Sequence, residues 1–506
     1  MKLSAAALRR AHDRLLFACA YPMNRDEWEG ANRELGELAV RAQALSRTSR
    51  GAALQNSGIA GTPIVASFSL ALTRWLVDRF GENVSLDSSD ADPEHLMATL
   101  TPLLDPIERE VLSEHPLRWT QWRRQFLGPQ RAQHLRRLLT LLERLPGTSP
   151  ERDAVFASLR VFVRWVVPID APVLSTGRFP AGAPRFHPRG LVKRALPARA
   201  WAEGKPARLR LDAAERRDLV DLARGTMTSL LSETDPFTCA HEGEVELHDM
   251  GHGVSVALFA SIPEHKLALE AYVGYLLLKN HVPVGYGGGW VLGRQARFGL
   301  NVLTPFRGGE SALFLCQLLR LYARRFGLKL FLVDPYQIGL GNPDGIRSGA
   351  FWFYWRLGFR PRQAELLALA RAEALRIKPG GKRTPAATLR RLSHAVMAWE
   401  TPLEAGWAPI DVEQVGAVVS RHILERFDVD RVKAGRSAKR RLGLRDSRLA
   451  VMLDALTPSG GWSAAELSRL NRLMPGKDRN EMDHARALQG CRQLMGRLAD
   501  ASGDTQ

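Results

Sequence analysis

The chain has 506 residues, of which 45% are hydrophobic and 25% charged, a globular composition long enough for roughly two to four domains. No run approaches the roughly 18 apolar residues of a membrane span, and Asp13 and Arg14 interrupt the short apolar stretch near the N-terminus, so neither a transmembrane helix nor a secretory signal is expected. The formal net charge of +18 attracts anions of any kind, from nucleic acid to phosphorylated cofactors, without choosing among them, while four widely spaced cysteines (Cys19, Cys239, Cys316, Cys491) exclude a CxxC zinc ribbon and a disulfide framework and fit a reducing, bacterial-type cytoplasm.

In chain order, residues 1–166 read as a helical N-terminal domain. Leu8, His12, Leu15, Leu16 and Cys19 share one helix face, and residues 26–46, 67–81 and 149–167 carry similar patterns. The polar stretch 85–95 reads as a loop ending in an N-cap. Residues 167–211, rich in Pro, Gly and Arg, read as a linker or an extended surface segment, with a basic ligand-contacting loop as the functional alternative.

Residues 212–363 read as an α/β block. A helix follows Asp212, with Leu219, Leu222, Ala223 and Met227 on one side. Two short strands, 243–251 and 254–262, form a hairpin around Gly251 and Gly253, and a longer hairpin spans 270–293 with Lys279–Pro283 as its connection. A strand at 296–306, a helix from Ser311, a buried strand at 328–335 and a helix at 348–361 complete the block. The C-terminal region, 364–506, reads as helical and basic. Its helices are placed at 362–378, 388–400, 412–427, 463–474 and 480–498, with a break at 379–385, a basic run at 431–445 and a frayed tail after Leu498. The expected fold class is α+β: a central mixed sheet with helices, flanked by mainly helical N- and C-terminal regions.

The turn Arg307–Ala312 has the chemistry of an anion cradle. Gly308 and Gly309 permit a tight turn and close backbone approach. The helix from Ser311 presents unpaired N–H groups and the positive end of its dipole, with Arg307 beside them. The plainer reading is a tight strand-to-helix turn with Arg307 paired to Glu310. No GK[ST] follows the glycines, so the turn is not a P-loop.

One strand later, Ala350, Tyr354 and Gly358 stand four apart, followed by Phe359. Together with the turn, this pattern resembles the GNAT acyltransferase superfamily over about residues 212–361. There an [Arg/Gln]-x-x-Gly-x-[Gly/Ala] turn binds the pyrophosphate of acetyl-CoA, and a later helix carries Ala-x-x-x-Tyr-x-x-x-Gly-Phe. Arg307 and Ala312 match the ends of the turn, while Glu310 stands where the family usually has Gly and must point away from a pyrophosphate. The family's Asn before the Ala is replaced by Arg347, with Asn342 nearby as a substitute.

The resemblance implies an acyl-CoA-dependent N-acyltransferase using acetyl-CoA or a longer acyl-CoA, with an amine acceptor that the sequence does not name. Arg307, Gly308, Gly309, Glu310, Ser311, Ala312 and Asn342 would form the CoA site. The thioester would lie between two splayed strands, with Tyr354 as the acid for the leaving thiolate, or simply as one packed aromatic among several. The base would be Glu270 or one of the polar groups between Glu242 and His252. His248 and His252 lack a third ligand of matching spacing, and no metal is expected. A catalytically inactive interaction module and a basic nucleic-acid-associated protein are the other readings.

Overall fold

The computed structural model describes residues 4–114, 117–377, 383–401, 409–445, 449–457 and 461–503. The chain divides into two compact units, Met1–Gly190 with Leu211–Glu242 and Leu278–Val284, and Leu191–Arg210 with Gly243–Leu277 and Gly285–Gln506. The division does not fall at 166, 211 and 363: the helix after Asp212 belongs to the first unit, and the chain beyond Pro361 to the second.

The first unit begins with two helices, Ala5–Ala20 and Arg25–Ser46, each started by a side-chain cap, Ser4 accepting from Ala7 and Asn24 from Glu27. The region is mainly helical, as expected, but it also holds strands where the sequence reads as loop or helix. Strands β1 (Pro63–Ala66), β2 (Val84–Ser89) and β3 (Val161–Val166) form an antiparallel sheet in the order β1-β3-β2. β2 occupies what reads as a polar loop, and β3 what reads as the end of a helix.

The reason is local. Arg160 takes a left-handed φ of 45°, which stops the helix Ser149–Ser158. Val161, Val163 and Trp165 then alternate inward at the period of a strand. Their side chains join Leu76, Trp122, Leu138 and Phe156 in the unit's core. The stretch after β3 is core as well: Val173, Leu174 and Ser175 are buried, and a Cβ at Gly225, on the helix Ala213–Ser229, would strike the carbonyl of Pro172.

The second unit is built on a nine-stranded sheet. Its strands are β4 (Ala207–Leu209), β5 (Glu246–Gly251), β6 (Val254–Phe259), β7 (Ala271–Lys279), β8 (Val282–Leu292), β9 (Gln295–Val302), β10 (Leu330–Val333), β11 (Arg360–Pro361) and β12 (Met397–Glu400). Their spatial order is β11-β12-β10-β9-β8-β7-β6-β5-β4. Both expected hairpins form. Asn280 and His281 join β7 to β8 with φ of 47° and 73°, the two positive angles of a type I′ turn. The tip of this hairpin, 278–284, counts with the first unit.

β9 and β10 run parallel, joined by the helix Ser311–Phe326. That helix packs through Tyr322 against Phe298 of β9, ring centroids 5.0 Å apart, and hydrogen-bonds Val273 O at 2.7 Å. β8 explains its run of glycines. A Cβ at Gly287, Gly288 or Gly289 would enter the rings of Tyr275, Tyr272 and Tyr322 respectively, so the bare backbone is the surface on which three tyrosines lie.

The helix expected over 388–400 ends at Leu392, and Met397–Glu400 is β12, which inserts antiparallel between β10 and β11. The helices beyond it, among them Val412–Phe427, Arg431–Leu442, Ala464–Leu473 and Arg492–Gly503, close around Leu453, Leu470, Leu494 and Leu498. The last helix continues through the stretch expected to fray, and residues 504–506 lie outside the described ones, as does most of the break at 379–385. Buried charges fasten this region to the sheet. Lys477 donates to the carbonyl of Glu270 at 2.8 Å, and Lys266 donates to the carbonyl of Lys477 at 2.8 Å.

Candidate functional site

The ladder between β9 and β10 pairs Gln295 with Leu330, Ala296 with Phe331 and Arg297 with Leu332. β9 then runs on to Val302 without a β10 partner in that register. Leu300, in this continuation, lines the same cavity as Tyr354, and its backbone lies close enough to the tyrosine hydroxyl to oppose the rise in its pKa. Tyr354 lies on the helix Ala350–Arg356, with its ring edge-on to Phe359 at 5.4 Å. It is 3% exposed, and burial raises its pKa, so its hydroxyl keeps its proton at neutral pH.

The Gly-rich turn leaves β9 through a 3₁₀ turn, Thr304–Phe306. Gly308 takes φ +86°, a conformation that favours glycine, and Gly309 N–H closes the turn on Phe306 O at 3.0 Å. Glu310 precedes the helix without capping it. Its carboxylate is fully buried, and Oε1 accepts from the backbone N–H of Val192 at 2.8 Å. The acid that would repel an anion is therefore shielded from solvent and committed to the Val192 N–H. Arg307 does not pair with it; its Nε reaches toward Val302 O at 3.5 Å and the side chain is exposed.

Two cavities meet at this turn. One, of about 530 Å³, is walled by Leu300, Arg307, Gly308, Ser311, Asn342 and Tyr354, among others. The other, of about 760 Å³, is walled by Gly309, Ser311, Ala312 and Phe353 together with Lys193, Arg194, Arg199 and Arg356. Ser311 and Phe353 line both. Asn342 also caps the short helix Pro343–Ser348, accepting from Gly345 N–H at 3.2 Å and donating to Tyr336 O at 3.1 Å. Arg347 pairs with Asp344.

The structure thus brings Arg307, Gly308, Gly309, Ser311, Ala312, Asn342 and Tyr354 together, and turns Glu310 inward. Glu270 stands apart. It precedes β7 and is 7% exposed, it is held by Arg297 at 3.1 Å, and it lines neither cavity. Burial raises its pKa and the Arg297 charge opposes that rise. The polar segment before the strands is likewise committed to pairs: His248 to Glu246 at 3.0 Å, and His252 to Glu203 at 3.7 Å.

The basic wall from Lys193 to Arg199 lies in the stretch for which a basic ligand-contacting loop is the second reading. Its signal was the density of Lys and Arg directly before the helix Pro197–Ala202, in a stretch read first as a linker. No family model, no curated protein and no solved structure matches the chain.

Proposed function

We propose that the chain is an acyl-CoA-dependent N-acyltransferase of GNAT type. The observation that carries this reading is the buried, protonated Tyr354 hydroxyl beyond the end of the β9/β10 ladder, at a cavity whose wall includes both Leu300 of β9 and the Gly-rich turn. A protonated acid beside strand backbone in one cavity is what direct acyl transfer requires. The amine nitrogen attacks the thioester carbon, and an N–H in the gap steadies the charge that develops on the carbonyl oxygen. The carbon–sulfur bond then breaks, and the Tyr354 hydroxyl gives its proton to the departing thiolate. The proton of the attacking amine passes to water or to a base.

The residues fit a phosphorylated donor. The helix Ser311–Phe326 aims its first N–H groups at the turn, and the neighbouring cavity is walled by four basic side chains. All four cysteines are free and buried, which supports assignment to a reducing cytoplasm.

Thermal unfolding with and without CoA tests the reading. CoA at about 100 times its dissociation constant should stabilise the fold by about 2.7 kcal/mol. An unchanged melting temperature in millimolar CoA removes the reading. Mass spectrometry of small molecules that co-purify with the chain would identify the acyl group.

A further inference from the structure

We infer that residues 191–199 form a basic strap, anchored by Glu310, that makes the site selective for a donor carrying a phosphorylated nucleotide. The inference rests on the acyltransferase reading and adds to it the part of the donor that is recognised and the residues that recognise it.

The strap touches the Gly-rich turn twice. Val192 N–H donates to Glu310 Oε1 at 2.8 Å, and Lys193 Nζ donates to the carbonyl of Gly308. These bonds hold the backbone of the strap beside the first turn of the helix Ser311–Phe326. From there Lys193, Arg194 and Arg199 wall the 760 Å³ cavity, and Arg356 closes it from the helix Ala350–Arg356. Among the described residues, no acidic side chain lines that wall. Four cations around one concavity repel one another until an anion enters, and guanidinium groups suit the paired oxygens of phosphate. The cavity shares Ser311 and Phe353 with the one that holds Tyr354, so a single extended molecule can reach the reaction gap with one end and the strap with the other.

Glu310 acquires a role on this view. A glycine at that position would leave Val192 N–H without its acceptor. The carboxylate is a positioning residue: it does not touch the donor but fixes the segment that does.

Binding of CoA, 3′-dephospho-CoA and pantetheine to the full chain, measured by calorimetry, separates the possibilities. Lys193→Ala/Arg199→Ala should weaken CoA binding by roughly tenfold or more and leave pantetheine binding unchanged, since two cations of the wall are lost while Val192 still holds the strap to Glu310. The salt dependence of CoA binding should flatten in the same variant. Glu310→Ala should reproduce that selective loss, and Glu310→Gln, which keeps an acceptor at Oε1, should restore it.

Equal CoA affinity in wild type and Lys193→Ala/Arg199→Ala overturns the strap while leaving the acyltransferase reading intact. A parallel loss of pantetheine binding overturns it too, by showing general damage. If wild type binds neither CoA nor pantetheine, the acyltransferase reading itself fails. Lys193 and Arg199 are exposed, so these variants keep the test decisive even if Glu310→Ala does not fold.

Discussion

The Tyr354 hydroxyl, on the helix Ala350–Arg356, lies close enough to the Leu300 backbone to feel it, at the place where β9 has left β10. Removing only the oxygen isolates its chemical role. Tyr354→Phe should retain the fold, with a stability change of no more than about 1 kcal/mol. Under the acyltransferase reading, turnover should fall by roughly 10²–10⁴-fold while donor affinity stays the same. Thiol release from an acyl-CoA, read beside the melting temperature, checks this. Unaltered turnover would make Tyr354 a packing residue alone.

The glycines of β8 give a test independent of function. A Cβ at Gly289 would stand 2.7 Å from the Tyr322 ring and 3.3 Å from that of Phe298, both locked in the core. Gly289→Ala should cost about 1–3 kcal/mol by overpacking. Gly416, on the helix Val412–Phe427, has nothing within 4 Å of the added atom, so Gly416→Ala should instead gain about 0.5–1 kcal/mol from helix propensity. Urea unfolding of the two variants should give opposite signs. A tolerated Gly289→Ala would mean the aromatic layer can shift.

What could be read in advance followed the range of the interactions involved. The turn at Gly308 and the hairpin at Asn280–His281 are set by neighbours in sequence, and they stand where local chemistry puts them. β3 was masked because Val161–Val166 adjoins the helix Ser149–Ser158, and the break depends on Arg160 alone. β12 was masked because Met397–Glu400 becomes a strand by insertion between β10 and β11, a long-range pairing with little local signature. In the candidate site, motif residues 307–312 and 350–354 were legible. The anchoring of the strap was not, because Val192 meets Glu310 across more than a hundred residues of chain.

Glu246 should give the fold an acid limb. Burial would raise its pKa, but hydrogen bonds from His248 and Arg325 and the charges of Arg325 and Arg208 outweigh that and bring it down to about 2. The unfolded carboxyl titrates near 4.5. A depressed folded value means stability that is present above pH 4.5 and is lost as pH falls toward 2. The full difference is on the order of 3 kcal/mol. Glu246→Gln should flatten this limb in urea titrations between pH 5 and pH 3, and should itself destabilise by about 3–5 kcal/mol because Arg325 loses a buried partner. An unchanged slope would assign the acid sensitivity elsewhere.

Glu481 should act in the opposite direction. It is 1% exposed at the start of the helix Glu481–Leu488, and burial raises its pKa to about 7 against the pull of Lys477 and Lys266, with Glu244 adding to the rise. The Lys477 ammonium is 3.9 Å away, too far for a direct hydrogen bond, and its shorter contact goes to the Glu270 carbonyl at 2.8 Å. With a folded value above the unfolded 4.5, the folded chain holds this proton more tightly. The native state is therefore favoured below pH 4.5, and that advantage is lost as pH rises through 7. Glu481→Gln, which mimics the protonated form, should stabilise the protein at pH 8 and make little difference at pH 5. Melting temperatures across pH 5–8 check this. A variant less stable than wild type at pH 8 would show that the ionised carboxylate, held by Lys477 and Lys266, is the form the fold prefers.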